Sequence, residues 1–88
     1  MNYYAVYLPM KDEELSATYR PDHLAYLDAR MAEGKVKAKG RFTDGSGGLV
    51  IYQADSAEDV EEYVKHDPYI VNGARSYVIK EWEAAFAE

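Results

Sequence analysis

Two short segments of the chain contain the residue types that acid–base chemistry needs. Residues 20–24 include one of only two histidines, and residues 66–69 include the other together with a carboxylate. An imidazole whose ring is oriented by a carboxylate is a general base suited to isomerisation, elimination or proton abstraction beside a carbonyl. We therefore predict that His23 and Asp67 form a pair, through antiparallel helices whose ends meet.

The predicted position of His23 also bears on its charge. It falls in the first turn of a predicted helix, where the positive end of the helix dipole disfavours the imidazolium and holds the ring neutral. Asp67 would then bind one ring nitrogen while the other accepts a substrate proton. The residues alone leave a second interpretation open, in which His23 is a polar residue on a helix flank and Asp67 ends a helix before Pro68. We assign His66 to a favourable charge at a helix C-terminus.

Hydrophobic periodicity predicts two helices and four strands to position these residues. Pro21 suits the first position of a helix, Gly34 suits its C-terminal cap, and Ser56 suits the cap of the second helix. Residues 11–14 include three carboxylates and predict a solvated loop or a frayed turn instead of a site, and the glycine-rich segment 43–48 predicts a hairpin turn. In chain order we predict a strand at 3–8, a helix at 21–33, strands at 35–42 and 49–52, a helix from 57 to before Pro68, and a strand at 74–80.

The element order is β-α-β-β-α-β, which predicts a single α+β domain over residues 1–88 with a ferredoxin-like fold. Its four-stranded antiparallel sheet would have the order 4-1-3-2. The first and third strands are apolar on both faces, whereas the second alternates apolar residues with lysine and arginine, as an edge strand does. Two helices cover one sheet face only, so we expect a homodimer in which a second copy covers the other.

Composition excludes several classes of function. The chain has no cysteine and two histidines, which removes thiolate chemistry and disfavours a metal site. A net charge of −6 repels nucleic acid. No segment is apolar enough for a membrane span or a signal peptide, so a cytoplasmic location is expected. The glycine-rich turn lacks the lysine of a phosphate-binding loop, and we predict that no metal or organic cofactor is required.

The two segments, together with residues 33–36, 40–42 and 47–50, resemble the YCII-related family of small bacterial proteins. The resemblance covers residues 3–82, and its most specific parts are residues 23–24 and 67–69. It implies a dimeric α+β barrel and a His–Asp active-site pair, here His23 and Asp67, in a barrel class that includes muconolactone isomerase-like enzymes, cofactor-free monooxygenases and a dehydrochlorinase. In the same two segments, Arg20 and Tyr69 are the predicted substrate-binding residues.

Three functions remain open at this level. The first is a cofactor-free enzyme that uses the pair on a small organic acid or an aromatic breakdown product. The second is a module that binds a small ligand through His23 without turnover, and the third is a purely structural dimer. An enzyme needs His23 for rate and a binding module needs it for affinity, whereas a structural dimer predicts no cleft at His23.

Overall fold

The computed structural model describes residues 1–87, which form one antiparallel sheet with helices on one side. The sheet order is β2-β3-β1-β4, and β1 pairs with β3 and β4. This order confirms the predicted α+β ferredoxin-like fold. The elements are β1 (Asn2–Pro9), α1 (Glu13–Ala32), β2 (Val36–Arg41), β3 (Gly47–Ala54), α2 (Ala57–Lys65), α3 (Pro68–Val71) and β4 (Val78–Trp82).

The core lies between the helices and one face of the sheet. Alternate side chains of β1 and β3 point into it, beginning with Tyr4 and Val50, because successive residues of a strand face opposite sides. Burial of the apolar stripe of α2 against this face follows the helical spacing of its sequence. The buried side chains that the helices contribute include Leu27, Val60 and Val64.

The first helix is longer than predicted. It begins at Glu13, and the expected loop at residues 11–14 is wrong, because Asp12 caps the helix by accepting a hydrogen bond from the Leu15 N–H at 2.9 Å. The prediction placed Pro21 at the helix start, but Pro21 lies inside α1. A proline in a helix interior removes one backbone hydrogen bond, and burial of the flanking residues Ser16 and His23 offsets this cost.

The segment between α2 and β4 also differs from the prediction. A short helix, α3, follows α2, and β4 occupies Val78–Trp82 instead of 74–80. Gly73 has a φ of 72° and turns the chain as expected. Ala74 cannot start the strand, because its carbonyl accepts from the N–H groups of Lys11 and Asp12. Residues 74–77 therefore tie the start of α1 to the sheet.

The outer face of the sheet is partly covered by the end of the chain. Phe86 packs edge-on against Tyr3 and Trp82, with ring centroids 5.2 and 6.0 Å away, and the Nζ of Lys37 lies 5.7 Å from its ring. Tyr7 and Phe42, at the other end of this face, remain exposed. One end of the apolar face therefore contacts residues from the same chain, which we did not predict from the sequence.

Candidate active site

His23 and Asp67 form a buried pair between α1 and the start of α3. The Nδ1 of His23 lies 2.8 Å from Oδ1 and 2.9 Å from Oδ2 of Asp67, and the two residues are 8% and 1% exposed. The predicted contact between them is confirmed. A carboxylate only accepts hydrogen bonds, so Nδ1 is the donor in this contact, and in the neutral form of the ring Nε2 is then the nitrogen that can accept a proton.

Nε2 lies on the side of the ring away from Asp67, and we infer from its surroundings that it faces the cleft. It makes no hydrogen bond within residues 1–87, yet every fully buried side-chain nitrogen or oxygen of these residues has a partner, so Nε2 keeps contact with solvent. His23 also lines the cleft described below. The arrangement leaves a basic nitrogen exposed to a ligand while the carboxylate holds the opposite side of the ring.

The route by which the pair forms differs from the prediction. His23 lies in the middle of α1, not in its first turn, so the proposed effect of the helix dipole on its charge is wrong. Asp67 does not simply end α2: it is the N-terminal cap of α3, and Oδ1 accepts from the Tyr69 N–H at 2.9 Å. An Asp followed by Pro68 is a typical helix start, a signal that was present in the sequence.

Tyr69 supports the pair from a second direction. Its ring stacks on the imidazole of His23 with centroids 3.8 Å apart and an interplanar angle of 13°. The guanidinium carbon of Arg75 lies 4.4 Å from the centroid of the same ring. Tyr69 is almost fully buried, and its ring forms part of the cleft wall. The imidazole of His23 and the guanidinium of Arg75 thus both pack against the ring of Tyr69.

A cleft of about 300 Å³ opens in front of His23, between α1, the β2–β3 hairpin and α3. This volume suits a small ligand. Arg20, predicted as a binding residue, lies exposed at its edge. The four cationic side chains that line the cleft are Arg20, Lys39, Arg41 and Arg75, in a chain of net charge −6. Arg75 was not predicted as a site residue, although it is a cation in an otherwise mainly apolar segment.

Two glycines let neighbouring strands pack closely beside the cleft. A Cβ on Gly47, whose φ is 149°, would lie 2.4 Å from the carbonyl oxygen of Leu8, and one on Gly48 would lie 2.9 Å from that of Gly40. Both distances are far below ordinary contact. The glycine-rich turn is a hairpin as predicted, and it also forms one wall of the cleft.

The buried Tyr52 and the half-buried Tyr26 lie near the pair, but neither is suited to act as a base. Burial raises the pKa of Tyr52 above its usual range, and the Asp67 carboxylate raises it further. Burial also raises the pKa of Tyr26, although Arg30 opposes that shift, and the Tyr26 hydroxyl donates to the Tyr63 carbonyl at 2.7 Å. Both phenols therefore stay protonated near neutral pH, so neither is a base.

Comparison with known proteins finds a family whose model matches most of the chain. The family model described as "YCII-related domain" matches residues 1–83. The uncharacterized protein YjpA of Bacillus subtilis (strain 168) is 34% identical over 76 residues, which cover 86% of this chain and 89% of YjpA. None of the helices described in residues 1–87 is long and apolar enough to cross a bilayer.

A solved structure shares the fold. It is the 5-chloro-2-hydroxyhydroquinone dehydrochlorinase TftG of Burkholderia phenoliruptrix AC1100, in complex with 2,5-dihydroxybenzoquinone. The TM-score is 0.80, the sequence identity is 22%, and the match covers 94% of this chain and 95% of TftG. At this identity the likeness shows a common fold and not a common reaction.

Proposed function

We propose that this chain, which belongs to the family of YCII-related domains, is a cytoplasmic, cofactor-independent acid–base catalyst acting on a small organic acid or hydroxylated aromatic compound. The observation that supports this most is the buried contact of His23 Nδ1 with Asp67, which leaves Nε2 facing the cleft. A structural histidine needs a hydrogen-bond partner for its buried N–H, but it has no need of a cleft at its second ring nitrogen.

The reaction would begin with proton transfer to Nε2 from a C–H or O–H group of the substrate. The imidazolium that forms is stabilised by the Asp67 carboxylate at 2.8 and 2.9 Å, and stacking on Tyr69 keeps the ring in place. The electron pair left on the substrate shifts along a conjugated system. The proton then returns to another atom in an isomerisation, or a leaving group departs with the electron pair in an elimination.

The charge of the cleft supports an anionic substrate. Cationic side chains line it while the protein as a whole is acidic, so the local field attracts a carboxylate or phenolate. Lys39 is partly neutralised by Asp28 at 3.2 Å, which leaves the arginines as the main source of positive charge. TftG, which shares the fold, binds 2,5-dihydroxybenzoquinone, a compound of the proposed chemical class.

We further propose that the active form is a homodimer that uses the outer face of the sheet. Tyr7, Phe42 and Val78 are 39%, 36% and 45% exposed at the end of this face that the chain itself does not cover. Tyr7 on β1 pairs with Val78 on β4. The rings of Tyr7 and Phe42 pack edge-on, with their centroids 5.9 Å apart. An exposed apolar patch of this kind is typical of an interface between copies.

The test of the catalytic proposal is proton exchange, which reports abstraction before any product is known. The protein is incubated in heavy water with a panel of small organic acids and hydroxylated quinones that includes 2,5-dihydroxybenzoquinone, and deuterium incorporation is followed by proton NMR. We expect exchange into at least one compound, and a rate ~10² to 10⁴ lower in His23→Ala.

The matched control is His66→Ala, because His66 is the other histidine and lies exposed at the end of α2. Its exchange rate should equal that of the wild type. Exchange that persists in His23→Ala would remove the catalytic proposal. Binding of a panel compound without exchange would favour the alternative, a module that binds a small ligand.

A further inference from the structure

The residues that the structure describes include three buried polar side chains, and two of them are His23 and Asp67. The third is Ser16, on the same side of α1, and its hydroxyl accepts a hydrogen bond from the Nε of Arg75 at 3.0 Å. We propose that Arg75, positioned by Ser16, binds the anionic group of the substrate. This inference rests on the proposed function, and it names the recognition half of the same cleft.

The partners of Arg75 support this assignment because they are all uncharged. Its Nε donates to Ser16, its Nη1 donates to the carbonyl of Leu8 at 3.3 Å, and its guanidinium contacts the ring of Tyr69. None of the ion pairs among residues 1–87 involves Arg75. A half-buried cation fixed by neutral groups keeps its charge and part of its donor fork for a ligand.

Arg30 provides a comparison within the same molecule. Its guanidinium also lies against a tyrosine ring, at 4.7 Å from the centroid of Tyr26. However, its Nε and Nη2 donate to the two carboxylate oxygens of Glu33 at 2.9 and 2.8 Å. Arg30 is thus a neutralised arginine outside the cleft, whereas Arg75 has the same aromatic contact inside the cleft and no carboxylate.

The position of Arg75 is fixed by its backbone as well as its side chain. Arg75 pairs with Met10 in an isolated bridge, and its N–H donates to the carbonyl of Tyr69 at 3.3 Å. The Ser16 hydroxyl, in turn, lies 3.3 Å from the carbonyl oxygen of Ala74 and is itself buried. This preorganisation lowers the entropy lost when a ligand binds.

The distance between the two halves of the cleft limits how far the acidic hydrogen of the substrate can lie from its anionic group. His23 and Arg75 both contact the ring of Tyr69, at 3.8 and 4.4 Å from its centroid. The separation of the imidazole centroid and the guanidinium carbon therefore cannot exceed the sum of these two distances. The acidic hydrogen must then be only a few bonds from the anionic group, as in a short-chain acid or a single-ring aromatic acid. A guanidinium fork suits a carboxylate best.

The test is a calorimetric titration of the full chain with matched probes: acetate, pyruvate, benzoate and 2-hydroxybenzoate, each beside its uncharged amide. We expect at least one carboxylate to bind the wild type at millimolar concentration and to bind about 10- to 100-fold more weakly to Arg75→Gln, because a hydrogen bond to a charged group is lost. The amides should bind weakly and equally to both proteins.

Three further variants separate recognition from folding. Arg75→Lys keeps the charge and should recover part of the affinity, Arg30→Gln should bind as the wild type does, and Ser16→Ala should weaken carboxylate binding less than Arg75→Gln. Thermal unfolding shows whether each variant is folded. Failure of every carboxylate to bind, equal affinity of folded Arg75→Gln and wild type, or equal binding of acids and amides would overturn the inference.

The same titration in His23→Ala distinguishes this inference from the proposed function. Carboxylate binding should persist there, since Arg75 is intact, while proton exchange is lost. Proton exchange that depends on His23 without any binding of carboxylates would uphold the proposed function and overturn the role of Arg75. Carboxylate binding that depends on Arg75 without exchange in any protein would do the reverse.

Discussion

The imidazole of His23 and the phenol ring of Tyr69 lie face to face, 3.8 Å apart and nearly parallel. The backbone N–H of Tyr69 also donates to Asp67, the carboxylate that holds His23. Tyr69 therefore orients the histidine twice, once through its ring and once by fixing the rotamer of the residue that accepts from Nδ1. Such shared support is typical of a site in which orientation matters more than binding strength.

Tyr69→Leu should disturb both stability and the pair. Loss of a buried ring creates a cavity and is expected to lower the free energy of unfolding by roughly 2–4 kcal/mol. Tyr69→Phe keeps the ring and should leave the stack and the fold intact. Denaturant unfolding measures the first effect and NMR shifts of the His23 ring measure the second. If Tyr69→Phe is as unstable as Tyr69→Leu, the hydroxyl and not the ring supports the site.

Asp67→Asn should cost activity more than stability. The two carboxylate oxygens of Asp67 accept from His23, and one of them also accepts from the Tyr69 N–H. Asparagine has only one such oxygen, and its neutral amide cannot stabilise an imidazolium. We expect a loss of about 1–3 kcal/mol in the free energy of unfolding and a proton-exchange rate ~10² to 10⁴ lower. Asp55→Asn, at an exposed position, is the control and should change neither quantity. A fully active Asp67→Asn would exclude the carboxylate from the mechanism.

Tyr7→Asp should separate the proposed dimer. The substitution places an unpaired charge at an apolar patch, and its burial in an interface would cost several kcal/mol. Val71→Asp is the matched control, because Val71 is 65% exposed but lies on α3, away from the sheet. Sedimentation at micromolar concentration should give a dimer for the wild type and for Val71→Asp, and a monomer for Tyr7→Asp. A wild-type monomer would end the proposal.

Tyr52→Phe should reduce the loss of stability at alkaline pH. Because burial raises the pKa of Tyr52 in the folded state above its ordinary value of 10.0, the unfolded chain releases this proton first. The contribution of Tyr52 is complete below that value, and it is lost as the pH rises towards the folded-state pKa. When the free energy of unfolding is measured below and above pH 10.0, it should fall less steeply with pH in Tyr52→Phe than in the wild type. Equal slopes would contradict the assignment.

The sequence predicted the fold because its strands and second helix follow simple local rules. The alternation in β2, the apolar character of β1 and β3 and the cap at Ser56 all agree with the final topology. The contact of His23 with Asp67 was predicted from the same topology. The reason offered for it was wrong: we expected the N-terminal end of the first helix to lie beside the C-terminal end of the second, whereas His23 lies in the middle of α1 and Asp67 caps α3.

The remaining differences arise where local rules compete with contacts distant in the chain. Pro21 suggested a helix start, yet the buried residues on either side of it hold α1 together. The only local sign of Arg75 was a cation in a mainly apolar segment, because its partners Ser16 and Leu8 are 59 and 67 positions away. The cleft and its positive charge are products of tertiary structure that no periodicity reveals.

The position of Pro21 divides α1 into two segments with different tasks. Without an N–H on Pro21, the carbonyl of Ala17 lacks its helical partner, and this missing bond falls between Ser16 and His23. We expect the segment that supports Arg75 to open more readily than the segment that bears His23. Amide hydrogen exchange should show earlier opening before Pro21 than after it, and Pro21→Ala should equalise the two. The helix that carries His23 and supports Arg75 would then be least stable between these two contacts with the site.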